Sequence, residues 1–295
     1  MPEKLDGLLN DTTYYFRAYA TNLYGQSYSS QVVQTTSYVP FITEWTTANP
    51  GDSINIMRSP SGGYSVNAYV DWGDGSAIEN VIGNTNSTIT HPYAAAGTYE
   101  VKVSGTFPKV SMGSQDELTD IKQWGTQPWK ELVAAFREGN YFTYTATDAP
   151  VLTDLVNTSF ENMFRRGIAF GGPFTGNASF NSWDVSLVTD TSFMFNGTSF
   201  NQDISGWNVS NIEDMSYMFR YVPFNQDISG WNTSSLQNVQ SMFQGTAVTA
   251  VFDQDISLWD ISNVTNFSNF LNGTTSFSTA NYDALLVAWE AQGPA

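Results

Sequence analysis

The chain of 295 residues contains no cysteine and a single histidine, His91. Disulfides, thiolate metal sites and cysteine nucleophiles are therefore excluded, and so is a metal centre built from several histidines. Charged residues make up only 13% of the sequence, and after Arg137 the only cations are Arg165, Arg166 and Arg220. Nucleic acids and anionic membranes are bound through clustered lysine and arginine, so we expect neither as a partner.

Long apolar runs and the common catalytic motifs are absent as well. No segment approaches the ~20 apolar residues that span a bilayer, so no membrane insertion is expected. The sequence has no phosphate-binding loop, no dinucleotide fingerprint and no nucleophile elbow, and we predict no cofactor and no enzymatic activity. The first residues, MPEKLDGLLND, lack the pattern of a signal peptide, which we interpret as a signal already removed or a piece of a longer modular protein.

What the chain does contain is enough apolar material for a large core. Hydrophobic residues make up 41% and aromatic residues 15%, while 28 acidic residues against 11 basic ones give a net charge of −17. This composition excludes global disorder. A surface that is polar but weakly ionic is common in exported proteins.

Residues 1–37 are predicted to be β-strands, because TTYYFRAYATN alternates in the period of a half-buried strand. The pattern L-x-G-L-x-x-x-T-x-Y-x-x-R-A-Y-A-x-N-x-x-G resembles the last strands of a fibronectin type III domain. The resemblance implies that Tyr14 occupies the buried tyrosine-corner position. An isolated ribbon is marginal in water, so we expect these strands to pack or pair outside the segment, with self-association as one route.

Residues 38–111 are predicted to form a second all-β unit. VDWGDGS at 70–76 and HPYAAAGTYEV at 91–101 resemble the PKD family, which implies an immunoglobulin-like β-sandwich. Asp71 and Asp74 flank its glycine-rich turn. Their carboxylates are expected to accept backbone N–H bonds there, in preference to binding calcium. The resemblance gives His91 a structural role.

Residues 112–150 are predicted to contain a helix. Trp129, Leu132, Val133 and Phe136 have helical spacing, with Pro128 at the first turn. A helix at this place would form an N-terminal cap for the segment that follows.

Residues 151–280 are repeats. FNQDISGWN occurs at 200–208 and again at 224–232, and tryptophans recur at Trp183, Trp207, Trp231 and Trp259. This period predicts a solenoid. Units such as WNVSNIEDMSYMF resemble the BspA-like leucine-rich repeats, also called the mycoplasma lipoprotein repeat, with residues 281–295 as a C-terminal capping helix. The expected fold class is therefore mainly β with short helices: a β-sandwich followed by a capped leucine-rich-repeat solenoid.

Two periodic series are candidate sites. Asp203, Asp227 and Asp255 recur with the repeat, either as caps of local turns, the favoured interpretation, or as weak candidates for a cation site. The tryptophans form either a buried core, again favoured, or a row that stacks on carbohydrate. No catalytic or ligand-binding residue is assigned.

The function expected from the family resemblance is non-enzymatic: a secreted or cell-surface bacterial protein that adheres to an extracellular protein or glycan through the repeats. The alternative is a non-catalytic accessory region of a secreted polysaccharide- or protein-degrading enzyme. The identity of the partner is not encoded in any motif.

Overall fold

The computed structural model describes residues 13–35, 38–56, 64–83, 89–113, 115–138, 142–166, 174–246 and 249–293. The chain divides into two compact units, Met1–Val39 and Pro40–Ala295. The fold is mainly β with few helices. The other domain boundaries expected from the sequence stay predictions.

The described residues of the first unit form four short strands: β1 Thr13–Phe16, β2 Tyr19–Asn22, β3 Gly25–Tyr28 and β4 Val32–Thr35. β1 pairs with β4 and β2 with β3, both antiparallel. The strands expected from the alternating pattern are thus present, and they pair with one another. The side chain of Tyr14, the expected corner tyrosine, lies outside the described residues.

The second unit begins with a sheet of six strands in the order β12–β11–β5–β10–β7–β8. Only the β11–β12 pair is parallel. β6 and β9 form a separate antiparallel pair. The eight strands are β5 Phe41–Thr47, β6 Ser53–Ile56, β7 Val66–Asp71, β8 Glu79–Gly83, β9 Ile89–Pro92, β10 Gly97–Thr106, β11 Leu118–Gln123 and β12 Thr143–Tyr144.

The sheet is explained by the alternation of buried and exposed side chains along its strands. In β7, Val66, Ala68 and Val70 are buried while the residues between them are exposed or half-buried, which is the period-2 pattern of a strand with one covered face. β5 buries Phe41 and Trp45 completely in the same way. This alternation was readable in the sequence.

The helix predicted within residues 112–150 is wrong. Residues 118–123 and 143–144 are strands, and the segment around Trp129 and Phe136 consists of turns. The N–H groups of Ala134, Phe136 and Glu138 donate to carbonyls near residues 161–165, so they are not available for helical bonds. Ala134 also has a φ of 52°, outside the helical region.

Successive copies of the repeat are joined by parallel backbone bridges. Single bridges link Ser159 to Asp190, Asp190 to Asp214, Asp214 to Asn238, and Asn238 to Asn266. Around each bridge, N–H groups of alternate residues in one copy donate to carbonyls of the next copy. We call this set of bonds the ladder. Four such bonds run from Met215, Tyr217, Phe219 and Tyr221 to the carbonyls of Asn238, Gln240, Met242 and Gln244.

The ladder is directional. The four alternate N–H groups of a copy donate to the copy that follows, and the carbonyls that receive such bonds belong to the residues between them. Just before this row the chain also donates backward, as the Glu213 N–H does to the Thr189 carbonyl. Other N–H groups donate to the carbonyl three residues earlier, as Met218 does to Met215 at 3.2 Å, or to a side chain two residues earlier, as Ser216 does to Asp214 Oδ1 at 2.7 Å. At one position of the repeat unit the backbone is left-handed in each of these copies, with φ values of 57° at Phe193, 60° at Tyr217 and 52° at Ser241.

This geometry corrects the expected leucine-rich-repeat solenoid, which the structure does not show. Between residues 158 and 277 the described residues contain no β-strand, only single-residue bridges, turns and one 3₁₀ helix, Ala178–Ser182. The three-residue spacing of the apolar positions marks the fold-back turns, whose i→i−3 hydrogen bonds place every third residue in the core.

The apolar positions of the repeats form a continuous core. Phe195, Phe219 and Phe243 stack in sequence with ring centroids 5.9 and 5.8 Å apart. The four recurring tryptophans are between 1% and 4% exposed. The indole N–H of Trp207 donates to the Phe180 carbonyl at 2.6 Å, and Trp231 and Trp259 make the equivalent bond to Ile204 and Ile228. This burial supports a core role and not a carbohydrate-stacking row.

The described part of the chain ends in one α-helix, α1 Thr279–Glu290, where the closing helix was expected. Ser278 begins it, accepting a hydrogen bond from the Asn281 N–H. Of its side chains only Leu285 is buried. Among the described residues no helix has the length and apolar character needed to cross a membrane.

We predict that Trp207→Ala lowers the free energy of unfolding by about 3–5 kcal/mol, the range for loss of a buried large aromatic side chain. Urea denaturation followed by circular dichroism measures this. Leu258→Ala is the control, because Leu258 is 79% exposed and its loss should change stability by less than about 0.5 kcal/mol. Equal, small effects would show that the tryptophans do not support the core.

Candidate functional site

A cluster of aromatic and arginine side chains lies along one side of the ladder. We call Arg165, Phe193, Tyr217, Arg220 and Tyr221 the aromatic–arginine patch. The Phe193 and Tyr217 rings stack with centroids 4.3 Å apart and an interplanar angle of 10°. All five side chains are half-buried, so each offers part of its surface to a ligand.

The ladder itself brings the two stacked rings together. Phe193 and Tyr217 occupy the same left-handed position in neighbouring copies. Between the copies, the Phe193 N–H donates to the Ser216 carbonyl at 2.9 Å. Backbone pairing thus places the two residues in register on neighbouring copies, where their rings stack.

The two guanidinium groups of the patch sit against these rings. The Arg165 carbon lies 4.9 Å from the Phe193 centroid, and the Arg220 carbon lies 4.4 Å from the Tyr221 centroid. These are cation–π distances. Arg220 also donates to the Tyr221 hydroxyl at 2.8 Å.

Neither guanidinium is neutralised by a carboxylate of the described residues. The Nε atoms of Arg165 and Arg220 are shielded and have no hydrogen-bond partner there. In a chain of net charge −17, two such cations beside flat rings can bind a polar, anionic ligand.

The periodic aspartates lie elsewhere in each copy and act on local turns. Oδ1 of Asp203, Asp227 and Asp255 each accepts the N–H of the serine two residues later, at 2.9 Å. This bond lowers the pKa of Asp227 and of Asp255, while the charge of Asp227 acts in the opposite sense on Asp255. These are the bonds that the capping interpretation requires. Among the described residues no group of three or more acidic or histidine side chains could hold a metal ion.

In the turn after β7, aspartate carboxylates likewise accept backbone N–H groups two residues later. Asp71 accepts from the Gly73 N–H at 3.0 Å and Asp74 from the Ser76 N–H at 2.9 Å. Gly73 is required here: it has a φ of +77°, and a Cβ at this position would lie 2.5 Å from the Glu100 carbonyl oxygen. The carboxylates therefore serve the turn.

His91 is a structural residue of this region. Its ring stacks on Trp72 at 4.7 Å and meets Tyr93 edge-on at 4.9 Å. Its Nε2 contacts Asp74 Oδ2 at 2.9 Å. The bonds from Ser76 and then from His91 hold the pKa of Asp74 well below its usual range.

A family comparison bears on the repeats. Residues 158–284 match the family described as "Mycoplasma protein of unknown function, DUF285". The match covers the repeats from residue 158 onward and the first half of α1. No curated protein and no solved structure matches the chain.

This match corrects the resemblance expected from the sequence. The BspA-like leucine-rich-repeat assignment is wrong, because the repeats match the Mycoplasma family instead and the structure shows no solenoid. The PKD and fibronectin type III resemblances gain no support from the comparison. What it supports is a bacterial family whose function is unknown.

Sequence analysis missed the patch. Its aromatic residues fall at positions that are aromatic in only some copies, so the repeat pattern did not mark them. The available signal was the charge: Arg165 and Arg220 are two of only three cations after Arg137, and both lie in the patch.

We predict that calcium does not stabilise the protein, because the Asp203, Asp227 and Asp255 carboxylates already serve as turn caps. The melting temperature should be the same in millimolar calcium and in chelator. Asp227→Ala should lower stability by about 1 kcal/mol through loss of the cap. A melting temperature raised by several degrees in calcium, and reversed by chelator, would establish a cation site.

We predict a pH-dependent role for Asp74. Because its folded pKa lies below the unfolded value of 3.8, its carboxylate stabilises the fold above that value. This contribution is lost as pH falls through the lower, folded pKa. Asp74→Asn should therefore lower the melting temperature at pH 6, and the difference from the native protein should shrink in acid. A difference that is constant with pH would contradict this.

Proposed function

We propose that the chain is a non-enzymatic bacterial protein, secreted or attached to the cell surface, that binds an extracellular partner through the aromatic–arginine patch. The observation that carries the proposal is the stacked Phe193–Tyr217 pair with an unneutralised guanidinium on either side. The family match to a bacterial protein of unknown function is compatible with this role.

The chemistry of the patch favours an anionic glycan. Aromatic faces carry a negative quadrupole and attract the partly positive C–H face of a sugar ring. Guanidinium groups bind carboxylates and sulfates with charge-assisted hydrogen bonds. The rings are held by the backbone of the ladder, so little conformational entropy is lost on binding.

Several observations support a binding role in preference to catalysis. The single histidine is enclosed between Trp72 and Tyr93 and paired with Asp74. Within the described residues no acidic cluster of metal-binding size occurs. We therefore keep the non-enzymatic interpretation as part of the proposal.

The sheet region serves, in this proposal, as a spacer that presents the repeats. We propose that the β6–β9 pair covers one face of the six-stranded sheet as the second layer of a β-sandwich. The complete burial of Ile54, Ile56, Val70 and Val101 supports such a covered face.

We predict that Tyr217→Ala weakens binding to sulfated or sialylated glycans on an array by roughly 10- to 100-fold, the loss expected for a central aromatic contact. Arg220→Gln should weaken binding too, and should make what remains less sensitive to salt. Tyr69→Ala is the matched control, since Tyr69 is a 45% exposed tyrosine on β7.

Unchanged glycan binding in Tyr217→Ala would refute the patch as the site. If the native protein binds no anionic glycan but captures an acidic protein through the same two residues, the patch stands as the site and the partner is a protein.

A further inference from the structure

The ladder ends with an open row of hydrogen-bond donors. In the copies before it, four alternate N–H groups donate to the next copy, as those of Val239, Ser241, Phe243 and Gly245 do to residues 266–272. The equivalent N–H groups in the last copy belong to Phe267, Asn269, Leu271 and Gly273. Within the described residues these four have no hydrogen-bond acceptor.

The side chains of the last copy are uncovered in the same way. Phe195, Phe219 and Phe243 are at most 4% exposed beneath the next copy. Leu271 occupies their position and is half-buried, as is Phe267, whose equivalents Met215 and Val239 are buried. The end of the ladder thus has the surface of an internal copy whose neighbour is absent.

A groove runs between this edge and α1. It has a volume of about 550 Å³ and is lined mostly by apolar side chains, among them Phe267, Leu271, Leu285, Leu286 and Trp289. The indole N–H of Trp289 is shielded from solvent and has no acceptor in the described part of the chain. The groove therefore combines an apolar wall with a fifth unpaired donor.

We propose that this groove binds an extended segment of another polypeptide chain. The segment would supply carbonyl oxygens from alternate residues to the four N–H groups, and apolar side chains to Phe267, Leu271 and Trp289. This mode of recognition is the addition of a backbone segment to an open edge.

The structure itself indicates this occupant. The same row of four donors occurs earlier in the ladder, at Met215–Tyr221 for example, and there it is filled by four alternate carbonyls of one polypeptide segment. Carbonyls in that register are therefore the acceptors that fit. A second copy docked through the same end of its ladder would place N–H groups against N–H groups, which cannot pair.

The inference adds a second site to the proposed binding function and is independent of the aromatic–arginine patch. A suitable probe is a synthetic peptide of residues 234–246, because this segment supplies the carbonyls that fill the row at Met215–Tyr221. A scrambled peptide of the same composition is its control.

The test is amide hydrogen exchange measured residue by residue. Without peptide, the N–H groups of Phe267, Asn269 and Leu271 should exchange at least about tenfold faster than those of Tyr217 and Phe219, because they have no acceptor. Peptide at up to about 1 mM should slow the exchange of these N–H groups. The slowing should be twofold when the peptide concentration equals the Kd and larger above it. The scrambled peptide should leave them unchanged.

Two variants on α1 locate the effect. Leu286→Asp places a charge in the groove and should abolish the slowing. Val287→Asp is the matched control, because Val287 is adjacent and 71% exposed and does not line the groove. Both positions are exposed, so both variants should melt close to the native temperature. Tyr217→Ala should leave the slowing intact.

The proposal fails if the last row exchanges as slowly as the internal rows without peptide, or if the peptide has no effect. It fails equally if Leu286→Asp retains the slowing, or if both peptides act alike. Concentration-dependent dimers abolished by Leu286→Asp would identify a second copy as the occupant, and competition by decanoate with no peptide effect would identify a small apolar ligand. In each of these cases a loss of glycan binding in Tyr217→Ala would still support the aromatic–arginine patch as a separate site.

Discussion

The repeats depend on one constraint: every copy with a neighbour on each side donates four N–H groups to the next copy and accepts four from the copy before it. Buried backbone groups that lack a partner cost free energy, so the pairing has to be complete within the core. To place its forward N–H groups on one side, the chain accepts left-handed residues such as Phe193 and Tyr217. Each costs on the order of 1–3 kcal/mol. Four hydrogen bonds of about 1 kcal/mol each, together with the buried phenylalanine column, offset this cost.

The same constraint explains where a functional surface can form. The core positions are committed to packing, and the periodic aspartates are committed to their turns. Variation is left to the side chains at the left-handed position and its neighbours. In two consecutive copies this position holds Phe193 and Tyr217. The scarce cations of the C-terminal half, Arg165 and Arg220, pack on the aromatic rings beside it. Binding chemistry thus occurs where the repeat tolerates change.

Sequence reasoning succeeded where side-chain periodicity determines the structure. Alternation in β7 predicted a strand, and the burial of Trp207 followed from the size of an indole that recurs once per copy. It failed where backbone hydrogen bonds decide. Trp129 and Phe136 have helical spacing, but the N–H groups of their segment are used by the next copy. The three-residue spacing suggested a solenoid of a known family, yet it reflects fold-back turns that no propensity scale describes.

The patch could be predicted only in part. The rarity of cations after Lys130 was visible and could have drawn attention to Arg165 and Arg220. That Phe193 lies over Tyr217 was not visible, because their contact depends on which N–H of one copy meets which carbonyl of the next. Register between copies is a tertiary property, and a single sequence does not specify it.

The directional ladder has an electrostatic consequence. In ordinary sheets the peptide dipoles of neighbouring groups largely cancel. Here four N–H groups of each row between Phe160 and Gly245 point towards the C-terminal end, while only one or two per copy, such as those of Thr189 and Glu213, point back. The dipoles of the crossing groups therefore add in part along the ladder, as they do along a helix. The C-terminal end therefore carries partial positive charge although the chain as a whole has a net charge of −17. Each additional copy of the repeat would lengthen this dipole.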